Sequence, residues 1–269
     1  MAVAKTTSAR KTAEQKQEKK KQKGALLAVF LILLILILAG GGLFLLKKVL
    51  FAANPRLTLR EIRVNGTGYW KEHHEELAQK IGLKKGTNLF ALDLKVLRAK
   101  IRAIPNVDSC SVVRVLPDMV VIRVTERVPR AVLGKQRAPW VLDADAVVMP
   151  RLKSMSFVSR LPEISGVSLS GIRPGEKLKK AQCAVDLIMM TVHNFPDIRI
   201  YSISLHNPEK MDIVLQYRKF PICRVKIPVK NRGLSFMLLA LQSAVINARR
   251  MGETRNLYDL SYDGRVVIH

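Results

Sequence analysis

The 23 residues from Gly24 to Leu46, GALLAVFLILLILILAGGGLFLL, carry no charge and are bounded by Lys23 and Lys47. At about 1.5 Å rise per residue, a helix of that length spans roughly 34 Å, enough for a hydrocarbon core of roughly 30 Å with some tilt. A helix satisfies its own backbone polar groups in lipid, which an irregular segment cannot do. The run is longer than the apolar region of a signal peptide, about 7–15 residues, and Lys47-Lys48 follow it instead of a small-residue cleavage site. No second stretch of comparable length exists to build a helical membrane bundle. Gly40-Gly41-Gly42 lowers helix propensity near the outer end by about 1 kcal/mol per glycine.

Charge orients the span. Residues 1–23 carry eight Lys or Arg against Glu14 and Glu18, whereas the far side offers Lys47, Lys48 and Arg56 nearby. The positive-inside bias leaves the N-terminus in the cytoplasm and puts residues 47–269 across the membrane. The tail, rich in Lys, Gln, Ala, Thr and Ser, cannot bury enough surface to fold and is expected to be disordered. Residues 49–269 hold 36 basic against 19 acidic residues, a net +17, so they suit anionic lipid or an acidic wall polymer. Their place outside the cytoplasm and the scarcity of aromatic residues among the basic ones argue against nucleic acid.

Beyond a linker over 47–56 the periodicity changes. Leu57–Val64 alternates and predicts a strand. Trp70–Ile81 predicts one helix with Trp70, Leu77, Ala78 and Ile81 inward and Gly82 as its stop. Asp93 suits the cap of a second helix, with Leu94, Leu97, Ile101 and Ile104 on one face, ended by Pro105. Val107–Leu116 and Met119–Glu126 read as a hairpin about Pro117-Asp118. The order over residues 57–131 is β-α-α-β-β.

That order, with Ile62-Arg-Val-Asn-Gly66, Gly86-Thr-Asn-Leu-Phe90, Ile104-Pro-Asn-Val107, Val113-Arg-Val-Leu-Pro117 and Thr125-Glu-Arg-Val-Pro-Arg-Ala131, resembles the POTRA domain of the FtsQ/DivIB cell-division family. Outer-membrane assembly proteins also carry POTRA domains, but string several before a long barrel that this chain cannot build. After Pro139, Trp140–Asp143 and Val147–Met149 predict a hairpin about Ala144-Asp145-Ala146, where Ala146 stands in place of the family's glycine and another turn form is expected. Leu161-Pro-Glu-Ile-Ser-Gly166 resembles the family's next element. Lys177–His193 predicts a helix with Ala181, Val185, Ile188 and Val192 inward, and Arg199–Leu205, Met211–Tyr217 and Ile222–Ile227 an antiparallel meander. Gly233–Met251 predicts a last helix; Leu257–Tyr262, Asp263-Gly264 and Arg265–His269 resemble the family's closing strands, with Ser261 in place of an arginine. The fold class expected is α+β: a single transmembrane helix (24–46), a POTRA domain (57–131), and a C-terminal mixed α/β domain (132–269) with a mainly antiparallel sheet.

No catalytic, cofactor or metal site emerges. Gly166-Val-Ser-Leu-Ser-Gly171 lacks the closing glycine of a nucleophile elbow, and Gly171–Lys177 lacks phosphate-loop spacing. His73-His74-Glu75-Glu76 places neighbours about 100° apart on a helix, so they cannot share one ion well. Cys110, Cys183 and Cys223 are scattered, odd in number and flanked by apolar residues, and read as buried small hydrophobes. A chain of this kind works by contact. The resemblance implies a division-site scaffold in the bacterial inner membrane whose last strand pairs with FtsB/FtsL-like coiled-coil proteins at the septum. Tyr262 and Asp263 occupy the tyrosine-aspartate positions of that contact, with Val266, Val267 and Ile268 as strand neighbours. Val112 and Arg114 loosely match a second recruitment surface on the POTRA strand. The competing readings are a membrane-anchored POTRA chaperone of secretion or envelope assembly, and a wall-polymer or anionic-lipid module.

Overall fold

A computed structural model of the chain describes residues 31–42, 54–152, 155–230, 233–253, 256–262 and 265–268. Residues 31–42 form a helix (α1) with Leu31–Leu38 exposed. No helix among the described residues is long and apolar enough to cross a membrane. The rest of the predicted span, 24–30 and 43–46, lies outside the described residues, as does the predicted disordered tail. The chain divides into two compact units: Met1–Glu61 with Lys84–Asp93 and Arg114–Val120, and Ile62–Leu83 with Leu94–Val113 and Val121–His269.

In the smaller unit, Asn54 caps a 3-10 turn, Pro55–Leu57, its Oδ1 accepting from the Arg56 N–H at 2.9 Å. Of the strand expected over Leu57–Val64, only the part from Glu61 pairs in the sheet, and the first half, Leu57–Arg60, does not. Instead it is stitched to the Gly86–Phe90 loop: Leu59 N–H donates to Thr87 O, Gly86 N–H to Leu59 O, and Leu89 N–H to Leu57 O, at 2.8–2.9 Å. Gly86 sits at φ 89°, which only glycine takes cheaply. The buried Leu59 and Leu89 close this small core. The Asp118 carbonyl accepts from the N–H groups of Arg60 and Glu61, so the Pro117-Asp118 turn is tied to the same entering segment.

The larger unit contains most of a three-stranded sheet of β1 (Glu61–Gly66), β2 (Val107–Val115) and β3 (Met119–Glu126), in the order β1-β3-β2. The predicted helix over Trp70–Ile81 is two: α2 (Tyr69–Glu72) and α3 (His74–Ile81), broken at His73 (φ −107°, ψ 40°). The inward set Trp70, Leu77, Ala78 and Ile81 is buried as expected. Gly82 ends α3 at φ 73°. The helix α4 (Leu94–Arg102) buries Leu97 and Ile101.

The strands β4 (Ala131–Leu133), β5 (Trp140–Leu142), β6 (Val148–Pro150), β7 (Glu163–Ser165), β8 (Ile198–Ser204), β9 (Lys210–Tyr217), β10 (Cys223–Pro228), β11 (Leu257–Tyr262) and β12 (Arg265–Ile268) form one sheet. Its order is β12-β11-β10-β9-β8-β7-β4-β5-β6. The helices α5 (Gln182–Asn194) and α6 (Leu234–Arg250) pack on one face. The predicted meander β8-β9-β10 is antiparallel, and the hairpins β5-β6 and β11-β12 are too; β4-β7, β7-β8 and β10-β11 are parallel. The sheet is therefore mainly antiparallel, as expected. At its β4-β5-β6 end both faces are covered: Ala131, Leu133, Leu142 and Val148 join the main core, whereas Val132, Val141 and Met149 join Met155 and Val158 in a second one.

Three expectations are overturned here. Val192 was expected inward on α5 but is 55% exposed; the buried stripe is Ala184, Val185, Leu187, Ile188 and Thr191. Cys110 and Cys183 are half-exposed and only Cys223 is buried, where desolvation pushes its thiol up to about 11. The turn at Ala146 takes no alternative form. Asp143 Oδ1 accepts from the N–H groups of Asp145 (2.9 Å) and Val147 (2.8 Å), and Ala146 itself adopts φ 57°. That costs alanine about 1–2 kcal/mol, against which its methyl group is fully buried in the main core.

Candidate partner-binding edge

A nine-stranded open sheet has two edges, and each is a row of backbone donors and acceptors open to pairing unless something covers it. The β6 edge is covered. Val148 N–H donates to Glu176 O at 2.9 Å, Gly175 N–H to Val148 O at 2.8 Å, and Leu178 N–H to Ala146 O at 2.8 Å. Residues 175–178 thus run along β6 as a partial tenth strand, and Val147 bridges Lys177. Pro150 ends β6 and withholds a donor.

The β12 edge is different. It pairs with β11 through Tyr258↔Ile268, Asp259↔Val267 and Tyr262↔Arg265, and no other described strand lies beyond it. The helix between β10 and β11 makes this geometry: a parallel return needs a long crossover, which α6 supplies. Val266 and Ile268 are half-buried and pack on the main core, while Val267 is half-buried on the alternate face. Asp263 lies outside the described residues, and of Tyr262 only the backbone pairing is described.

Asp259 braces β11 from its own strand and from β9, and was not singled out by sequence reasoning. It is buried, and burial raises its carboxyl; donation from the Ser261 hydroxyl and backbone N–H, with Lys210 and Lys226 nearby, outweighs this and holds it below the ordinary carboxylate value. The Ser261 N–H reaches Asp259 Oδ1 at 2.8 Å, and Lys210 Nζ lies 3.6 Å from Oδ2. Ser261, where the resembled family has arginine, is thus a local hydrogen-bond donor. The spacing Asp-x-Ser was the available signal.

The second predicted surface is placed differently. Val112 is 2% exposed and belongs to the core, so its side chain is not offered to a partner. Val113, its neighbour on β2, is exposed instead. Arg114 donates from Nε to Leu89 O at 2.7 Å and from a terminal nitrogen to Leu92 O, and its guanidinium lies 5.8 Å from the Phe90 ring centre. It holds the Gly86–Phe90 loop, a use of arginine that satisfies two loop carbonyls at once.

The architecture defines an α+β protein with a POTRA module followed by a large, mainly antiparallel sheet whose β12 edge no other strand covers among the described residues. Residues 57–127 match the POTRA domain, FtsQ-type. The chain is 31% identical over 129 residues to the cell division protein FtsQ of Syntrophotalea carbinolica, covering 48% of this chain and 44% of that protein. It is 32% identical over 92 residues to the cell division protein FtsQ of Koribacter versatilis, covering 34% of this chain and 26% of that protein. The chain matches less than half the length of either relative. The chain thus carries an FtsQ-type POTRA domain and is similar to FtsQ cell division proteins, the likeness its motifs indicated.

Proposed function

We propose that this chain is a non-catalytic, bitopic scaffold of the bacterial division machinery, anchored in the inner membrane by Gly24–Leu46 with residues 47–269 outside the cytoplasm. It links earlier and later division proteins at the septum by lending the β12 edge to an FtsB/FtsL-like partner strand. One observation carries this reading. The sheet protects its β6 edge with residues 175–178 and leaves β12 without such a cover among the described residues. Backbone pairing at β12 supplies affinity, and side chains on alternate faces, Val266 and Ile268 against Val267, supply selection. The similarity of the POTRA stretch to that of FtsQ proteins supports the division setting.

The test uses the full chain in detergent and immobilised FtsB/FtsL-like partner from the same cells. In a strand, consecutive N–H groups point to opposite sides, so of Val266→Pro and Val267→Pro one strikes the free edge and the other the pairing with β11. The free-edge variant is expected to keep the wild-type melting temperature and lose capture at least tenfold. Wild-type capture by both variants, each shown folded, overturns the reading.

A further inference from the structure

We infer that the loop-bearing face of the smaller unit is a lipid-contact surface, seated in the anionic headgroup layer on the extracytoplasmic side of the bilayer. The inference rests on the anchoring of Gly24–Leu46 proposed above. Only seven residues separate Leu46 from Asn54, and fully extended they reach at most about 25 Å. The segment that follows is hydrogen-bonded to two loops: Leu57 and Leu59 to Gly86–Leu89, and Arg60 with Glu61 to Asp118 of the β2–β3 turn. Both loops are therefore held to the stretch of chain that emerges beside the membrane.

Those loops carry what a headgroup layer accepts. Phe90 and Leu116 are 42% and 59% exposed. Leu116 follows Arg114 by two residues, the spacing that returns a strand to one face, and Arg114 lies against the Phe90 ring. Aromatic and leucine side chains at a membrane boundary bury apolar area while the backbone stays hydrated. Around them Arg56, Arg60, Lys84 and Lys85 are exposed, and Lys47 and Lys48 precede them in sequence. The acidic residues of this unit's described part are Glu61, Asp93 and Asp118, so its balance is positive, the sign that anionic headgroups attract. Arg114 is engaged internally, which leaves the peripheral basic residues for the lipid.

The experiment reconstitutes the full chain in vesicles of three parts phosphatidylcholine to one part phosphatidylglycerol, with and without bromination of the acyl chains. Leu116→Trp and Phe90→Trp, both at exposed positions, are compared with wild type, whose Trp70 is buried and Trp140 half-buried. The expected result is a blue-shifted added emission and a fraction quenched by brominated lipid at least twofold above wild type in both variants. Retention on floated vesicles after an alkaline wash reads the anchor separately. A chain that is retained, folded by circular dichroism, and quenched no more than wild type overturns this inference alone and leaves the face to a protein partner. A chain that washes off overturns the anchor and this inference together.

Discussion

Arg127→Met tests the most consequential buried ion pair in the larger unit. Arg127 follows β3 directly and sends its guanidinium to Asp143 Oδ2 at 2.6 Å, with Asp108 at 3.4 Å. The Asp143 side chain is 7% exposed and that of Arg127 19%, so little water is left to screen the carboxylate once its partner is removed. The other Asp143 oxygen is already committed to the N–H groups of Asp145 and Val147 and cannot turn outward without opening the β5–β6 turn. Removing one partner of a buried pair costs about 3–5 kcal/mol; the two remaining donors and the partial exposure of Arg127 put the expectation at the lower end, about 3 kcal/mol. For a domain of this size that corresponds to a melting temperature lower by roughly 6–12 °C. Asp143→Asn keeps an acceptor for the turn and removes the charge. The double variant is therefore expected to recover about 2 kcal/mol relative to Arg127→Met, a coupling that a double-mutant cycle isolates. The assay is urea unfolding of the full chain in detergent, followed by Trp140 emission, with the thermal melt alongside. A loss below about 0.5 kcal/mol for Arg127→Met, or no recovery in the double variant, would refute the reasoning that a desolvated carboxylate is held by this arginine.

Two further outcomes are expected. Gly166 sits at φ 81°, and a Cβ there would lie 2.3 Å from the His206 backbone nitrogen and 2.5 Å from the Leu205 carbonyl carbon; Gly166→Ala should cost more than about 3 kcal/mol, since both the φ and the backbone contact must be relieved, and an unchanged melt would contradict the packing of β7 on the β8 terminus. Asp259 has a folded pKa below its ordinary 3.8, so its contribution to stability is complete above that value and is lost as pH falls through the lowered one; melting between pH 6 and pH 3 should fall less steeply for Asp259→Asn than for wild type, and parallel curves would count against the Ser261 and lysine contacts.

Much of the fold was legible because its signals are local. The inward faces of α3 and α4, the meander, and the hairpin about Pro117-Asp118 follow from period and turn chemistry. The strand predicted from Leu57 fails for a non-local reason: its first half pairs with Gly86–Phe90, a loop about thirty residues away. The helix predicted through His73 breaks where the Tyr69 and His73 rings stack at 3.9 Å and the Glu126 carboxylate takes the Trp70 N–H at 2.7 Å. Val192 was assigned inward on period alone, which cannot say where the buried stripe is centred when most of a helix is apolar. The candidate edge was legible as the last strand of the chain, but not as an uncovered one.

By itself the sequence determined the apolar run, the basic balance on its two sides, the β-α-α-β-β order and the residues that resemble FtsQ proteins, because each is written in contiguous residues or short spacings. Tertiary structure alone decided which sheet edge is covered, which arginine holds a loop and which pairs with a buried carboxylate. Those outcomes depend on backbone and side-chain groups far apart in the chain meeting at hydrogen-bond distance, and short-range pattern carries no record of that meeting.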